Sequence, residues 1–241
     1  MNLAIVSESP AVSPADLSRM VEAAVVQTAR DFCPIWDLEV PAMRVFATEK
    51  DAPADWALIV FLPSSDVAGA LGYHSETPEG RKFARVFTNG QTLPEIQETF
   101  THEVLEALLD PGCNLWAQDA NGALWALESS DAVQGQAYPI DLGDGLPPVM
   151  VSDFVLPPYF DQSPAPGSRF NWNTNAPLPG PFTVGPMGYS VIMSGGQTRQ
   201  VGGFNWAGPS KAKRHPVART ARRMGPTVSD TIPAPGQLGF L

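Results

Sequence analysis

Histidine and cysteine are scarce in this 241-residue chain, at three and two residues. Cys33 and Cys113 are too few for a disulfide framework or a cysteine zinc site. No apolar run approaches the roughly 18 residues that a membrane-spanning helix requires, so no membrane partner is expected. The N-terminus lacks the basic-then-apolar pattern of a secretory signal, which makes cytoplasmic the expected location at synthesis. No repeat of fixed period is present. Positive charge is sparse over most of the length: residues 1–210 carry a formal −15, whereas residues 211–241 carry +5. The acidic body argues against nucleic acid as a partner. The basic tail, with Lys211, Lys213, Arg214, Arg219, Arg222 and Arg223, either stays solvated or docks on an acidic surface. Gly195-Gly196 and Gly202-Gly203 lack the strand–glycine–helix setting of a phosphate loop.

The patterning that is present predicts an α+β fold with a mixed sheet and two main helices. Ser13 can cap the first helix, Pro14 fits its first turn and Asp16 takes the capping-box position. Leu17, Met20, Val21, Ala24 and Thr28 recur at helical spacing, so the helix should run to about Phe32. Strands are expected at Met43–Thr48, Trp56–Leu62, Ala68–His74 and Ala84–Thr88, with a turn or exposed loop over Thr77–Lys82. The continuous apolar run Trp56–Leu62 fits a strand buried on both faces. Thr92 and Glu95 have capping-box spacing and Pro94 is tolerated in a first turn, so a second helix should begin near Thr92. Pro111-Gly112 stops it at Asp110. A short strand follows at Leu124–Leu127.

Glycine and proline, 21 and 25 in all, are concentrated after residue 140. There they punctuate short apolar runs at Val149–Leu156, Phe182–Val184, Tyr189–Met193 and Val201–Trp206. The expected organisation is a first domain over residues 1–140, a β-rich, irregular extension over 141–206 and a basic, Pro/Gly-containing tail over 207–241.

The second helix carries the sharpest chemical signal. In Thr101-His102-Glu103-Val104-Leu105-Glu106, residues His102 and Glu106 stand four apart and share a helix face, with Glu103 beside them. In HExxH helices two histidines bind zinc and the glutamate is the general base. Here a glutamate replaces the second histidine, and carboxylates also ligate zinc. One histidine and two glutamates on an exposed helix face would be ordinary. The surrounding Leu, Val and Ala instead mark a core helix, where ionisable groups need compensation. Downstream, Glu128 or Asp131 in Leu127-Glu128-Ser129-Ser130-Asp131 could supply a third ligand, and the other could orient His102.

The order helix, strands, edge strand and HExx[H/E] helix resembles the N-terminal half of a zincin metallopeptidase domain. Three segments are more narrowly similar to a group of HExxE proteins encoded by tailed phages and prophages: Gly69–His74, Thr101–Glu106 through Asp110-Pro111, and Val151–Pro157. The resemblance spans roughly residues 15–190. It implies zinc held by His102, Glu106 and Glu128 or Asp131, with Glu103 as general base toward the attacking water and a peptide as substrate. It gives the substrate-pairing edge strand to part of Gly69–His74 or of Ala84–Thr88. Tyr73, Tyr138 and His74 are open alternatives for steadying an oxyanion. Two carboxylates on one divalent ion make a weaker Lewis acid than neutral ligands would. The resemblance therefore also admits a non-catalytic virion component, assembled through the C-terminal extension with phage particle proteins or with further copies of the chain.

Other residues are read more plainly. His74 is expected at a strand end, at the surface or lining the site, and Asp110-Pro111 as a helix stop. Cys113 is expected as a half-buried free thiol. Trp116, Trp125, Trp172 and Trp206 are expected in packing roles, or else as the surface of a plain binding module.

Overall fold

The computed structural model describes residues 1–67 and 69–202. Its framework is a five-stranded mixed sheet built from β1 (Leu3–Ser7), β2 (Met43–Val45), β3 (Ala57–Leu62), β4 (Gly72–Glu76) and β5 (Lys82–Phe87), ordered β2-β1-β3-β5-β4. β1 is parallel to both β2 and β3, and β3 is parallel to β5. β4 alone runs antiparallel, at the edge beside β5. β1 was not expected, although Leu3-Ala4-Ile5-Val6 is a continuous apolar run like that of β3. All four of these residues are fully buried, because packed side chains cover both faces of the sheet. The β4–β5 connection is a tight hairpin, with Thr77 N donating to Arg81 O at 2.8 Å. Gly80 takes the positive φ of 91° that this turn requires.

Two main helices pack on the sheet. α1 (Pro14–Val26) starts where Ser13 accepts a hydrogen bond from the Asp16 amide. The helical path then widens to π geometry over Gln27–Phe32 and ends in α2 (Cys33–Trp36), where Asp37 takes a left-handed conformation. α3 (Leu93–Leu109) opens with the Thr92–Glu95 capping box and closes at Asp110. Asp110 caps the following turn rather than merely ending the helix: its two carboxylate oxygens accept from the Asn114 and Leu115 amides, each at 2.9 Å.

The first half of α3 is amphipathic, but every residue from Phe100 to Ala107 is buried. A helix buried all round must have a core on each side. One core lies against the sheet, where Ile96, Phe100 and Val104 meet Ile5, Ile59, Phe61, Val86 and the α1 residues Leu17 and Met20. The other gathers Leu105 and Leu109 with Phe32, Leu115, Leu127, Phe154 and Tyr159.

The remaining strands follow α3, and Ile140, Val149 and Val151 among them close the sheet-side core. β6 (Trp116–Gln118) and β7 (Leu124–Ala126) form a hairpin, and β10 (Tyr189–Ser194) and β11 (Gln197–Gly202) extend it to four strands in the order β11-β10-β7-β6. β8 (Ala137–Ile140) pairs with β9 (Val149–Ser152). β9 also docks on α3, with Thr101 Oγ1 accepting from Ser152 N at 2.8 Å and Gln97 Oε1 from Met150 N at 3.0 Å.

The irregular stretch after β9 is held by side chains. Asp153 accepts from the Phe154 and Asn173 amides and from Asn171 Nδ2, and Asn171 Oδ1 accepts from the Leu178 amide. No strand forms at Phe182–Val184; Phe182 has a φ of 51°, which breaks an extended run. The Val201–Trp206 run is described only to Gly202, where it closes β11. Trp206, His215 and the basic tail lie outside the described residues. Among the described residues no helix is long and apolar enough to cross a membrane.

Candidate metal centre

The cluster is assembled from three places. The helical repeat of α3 puts His102, Glu103 and Glu106 on adjoining faces at its middle. The chain after β7 turns back beneath that helix and delivers Glu128 and Asp131, with Asp131 opening a 3-10 turn over Asp131–Val133. The amides of Ser130 and Asp131 both donate to Glu106 Oε1, at 3.3 and 3.2 Å. Glu106 is therefore seated on the positive end of that turn, which fixes both α3 and the turn.

The third source is edge strand β4, which delivers His74. Alternation along the strand puts Gly72 and His74 on one face, toward α3. Gly72 is what lets the helix come so close: a Cβ there would lie 2.7 Å from Glu103 Oε1 and 2.9 Å from Thr99 Cγ2. His74 is buried rather than at the surface. Its Nδ1 stands 3.5 Å from Glu106 Oε2 and 3.6 Å from Glu103 Oε2, and its Nε2 stands 3.7 Å from Glu128 Oε2. On the other side of Glu106, His102 Nε2 stands 3.3 Å from Glu106 Oε1 and 3.3 Å from Asp131 Oδ1.

The structure thus brings together the five candidate ligand and base residues and places with them His74, which the sequence offered as a site-lining residue or oxyanion group and which here stands at ligand distance. It also separates the two downstream carboxylates. Asp131 goes with His102 and Glu128 with His74, giving the groups His102–Glu106–Asp131 and His74–Glu106–Glu128, each able to hold a metal ion. His74 was foreshadowed by its spacing from Gly72: a strand residue two from a glycine that admits a helix must face that helix. The other oxyanion candidates point elsewhere. Tyr73 Oη donates to Asp66 Oδ2 at 3.0 Å, and Tyr138 Oη to Asp31 Oδ2 at 2.9 Å.

All six polar residues are at most 8% exposed, with Glu106 fully buried. Burial pushes the His102 imidazole toward its neutral form, but Glu106, Asp131 and Glu103 outweigh it and raise its pKa to about 10. His74 is likewise raised well above the usual histidine range against the pull of burial, by Cys113, Glu128 and Glu103. At His102 the shift comes from carboxylates alone: that side of the cluster has more carboxylate than it can balance without bound protons or a cation.

The spacings distinguish these two ways of balancing it. A charge-assisted N–H···O bond closes to about 2.7–2.9 Å. Two ligands of one tetrahedral zinc, with bonds of about 2.0–2.2 Å, stand roughly 3.3–3.6 Å apart. Four of the five histidine–carboxylate separations, 3.3 to 3.6 Å, fall at the second distance, and the His74 Nε2–Glu128 Oε2 separation of 3.7 Å lies just beyond it. In addition, His74 Nδ1 and Glu103 Oε2 are buried without a hydrogen-bond partner among the described residues. The donor set of imidazole and carboxylate suits zinc and other first-row divalent ions.

Cys113 is buried more fully than expected and takes a φ of 48°, its thiol donating to the His74 carbonyl. Trp116 and Trp125 are buried in packing roles. Trp172, partly buried, stacks on Phe154.

Comparison of the chain with protein-family models, with curated proteins and with solved structures finds no match.

Proposed function

We propose that the chain is a zincin-like metalloprotein that holds one zinc ion through His102, Glu106 and Asp131 and has the group set of a metal-dependent peptide hydrolase. The observation that carries the reading is the placement of His102 Nε2 at ligand–ligand distance, 3.3 Å, from both carboxylates. The architecture supports it. β4, unlike β5, lies at an edge of the sheet, and it packs against the HExxE helix, so it keeps the free hydrogen-bonding side that a zincin's substrate-pairing strand needs, although β5 separates it from that helix in the chain.

When bound, zinc supplies Lewis acidity toward a carbonyl or a water. The chain's own contribution is positional. Glu103, held against the β4 backbone by the absence of a side chain at Gly72, is the group placed to accept and return a proton. Glu106, anchored by two backbone amides, sets the distance between α3 and the Asp131 turn. The test is metal analysis of the purified chain. Zinc near one equivalent or above, reduced by about one equivalent in His102→Ala, supports the reading; folded protein that binds no divalent ion refutes it.

A second reading is favoured by the burial of all six residues. In it the same centre is closed and ties α3 to β4 and the Asp131 turn, and the protein is a non-catalytic component of a phage particle. The resemblance of Gly69–His74, Thr101–Glu106 and Val151–Pro157 to phage-encoded HExxE proteins points the same way, with the C-terminal extension as the assembly surface. Peptide hydrolysis abolished by Glu103→Gln separates the two: its presence supports the hydrolase. Metal-dependent stability without hydrolysis supports the structural role.

A further inference from the structure

Glu106 presents one oxygen to each histidine. Oε1 faces His102 at 3.3 Å and Oε2 faces His74 at 3.5 Å. On the His74 side, the tautomer can be read from the partners. Nε2 stands 3.2 Å from the carbonyl oxygen of Asp110, which can only accept, so Nε2 carries a hydrogen. In the neutral ring this directs the Nδ1 lone pair toward Glu103 Oε2 and Glu106 Oε2, two oxygens that are themselves acceptors. Nδ1 makes no hydrogen bond and His74 is 4% exposed. Three electron-rich atoms facing one another in a buried space repel unless a proton or a cation lies between them.

We infer that the protein binds a second divalent cation, held by His74 Nδ1 and Glu106 with Glu128 or Glu103 as the third ligand, and with the Glu106 carboxylate bridging it to the cation at His102. The inference rests on the first site but is separable from it. Charge supports two ions rather than one. Ligating imidazoles are neutral, and Glu103, Glu106, Glu128 and Asp131 as carboxylates carry four negative charges, which two divalent ions balance. A carboxylate-bridged pair places the two ions about 3.5–4 Å apart. The ligands fit a first-row ion such as zinc, manganese or iron.

The experiment is a stoichiometry with a spectroscopic readout. The full chain is stripped with chelator, re-loaded with Zn2+ and analysed for bound metal. Two equivalents are expected in the wild type, falling to one in His74→Ala and to one in His102→Ala. Loading with Mn2+ should give the electron paramagnetic resonance signature of an exchange-coupled pair in the wild type, which requires no variant to fold. One equivalent that survives His74→Ala and is lost in His102→Ala overturns the second cation and leaves the first site standing. Two equivalents without coupling overturn the bridge and with it the proposal. No bound metal at all overturns both sites.

Discussion

Replacing Glu106 by alanine in the chelator-stripped chain tests whether this residue organises the cluster independently of any bound ion. Glu106 is fully buried, accepts from two backbone amides and faces two histidines whose pKa values are raised. Its loss leaves the Ser130 and Asp131 amides without their acceptor, at about 1–3 kcal/mol for an unsatisfied buried group. It also removes one partner of a buried ion pair, which costs about 3–5 kcal/mol. The two losses overlap, because turn and histidines relax together, so a net destabilisation of about 3–5 kcal/mol is expected. For a chain of this size, with about 2–4 °C lost per kcal/mol, Tm should fall by roughly 6–20 °C. Glu106→Gln keeps an oxygen for the amides and removes only the charge, so it should fall between alanine and wild type. Urea unfolding followed by the fluorescence of buried Trp36, Trp116 and Trp125 measures both. A Glu106→Ala chain within about 1 kcal/mol of wild type would refute the reasoning, since neither the amides nor the histidines would then depend on it.

Three further perturbations follow from other parts of the structure. In the metal-free chain the folded pKa of His102, about 10, lies above its ordinary value of 6.5. Its stabilisation should therefore be complete below about pH 6.5 and be lost as pH rises through about 10, whereas metal affinity should increase from pH 6 to 8 because ligation needs the neutral ring; a flat metal-free stability profile would contradict this. Gly72→Ala should cost about 1–3 kcal/mol by forcing Glu103 and Thr99 away, and Glu103→Ala in the same chain should recover part of it, as a double-mutant cycle on Tm would register. Asn171→Ala leaves the Asp153 carboxylate and the Leu178 amide short of a partner. A loss of about 2–3 kcal/mol is expected, with limited proteolysis cutting first between residues 161 and 188.

The two main helices were legible because their boundaries are written in local chemistry. Ser13 and the Thr92–Glu95 pair need only their own backbone, so their reading does not depend on the rest of the fold. Strands made by distant pairing were harder to read. β1 shows an apolar run too short to identify its state, and it is a strand because β2 and β3, some 40 to 55 residues later, supply its hydrogen bonds. β6 and β8, three and four residues long, are too short for periodicity to identify, although each pairs with the next strand in the chain. At the candidate centre, periodicity alone places His102, Glu103 and Glu106 together. Nothing local divides Glu128 from Asp131, because that depends on how the chain after β7 passes under α3. His74 follows from the register of an edge strand, which sequence spacing hints at only through Gly72.

α3 separates two cores, and this sets an order of events during synthesis. The sheet and α1 lie almost wholly before residue 88, so α3 can dock on them as soon as it is made. Its opposite face then waits for Glu128, Asp131 and the Phe154–Phe160 segment, up to about 50 residues later. Until that cover arrives, His102 and Glu106 stand in water at the surface of a half-built protein. An ion that could be held by these groups would thus have access from the side that the ribosome has not yet supplied, with no opening of the native state. Release afterwards must break a packed core, so exchange should be far slower than capture. A chain shortened to residue 140 would keep all six residues of the cluster and lose the Phe154–Phe160 segment of the core beside it.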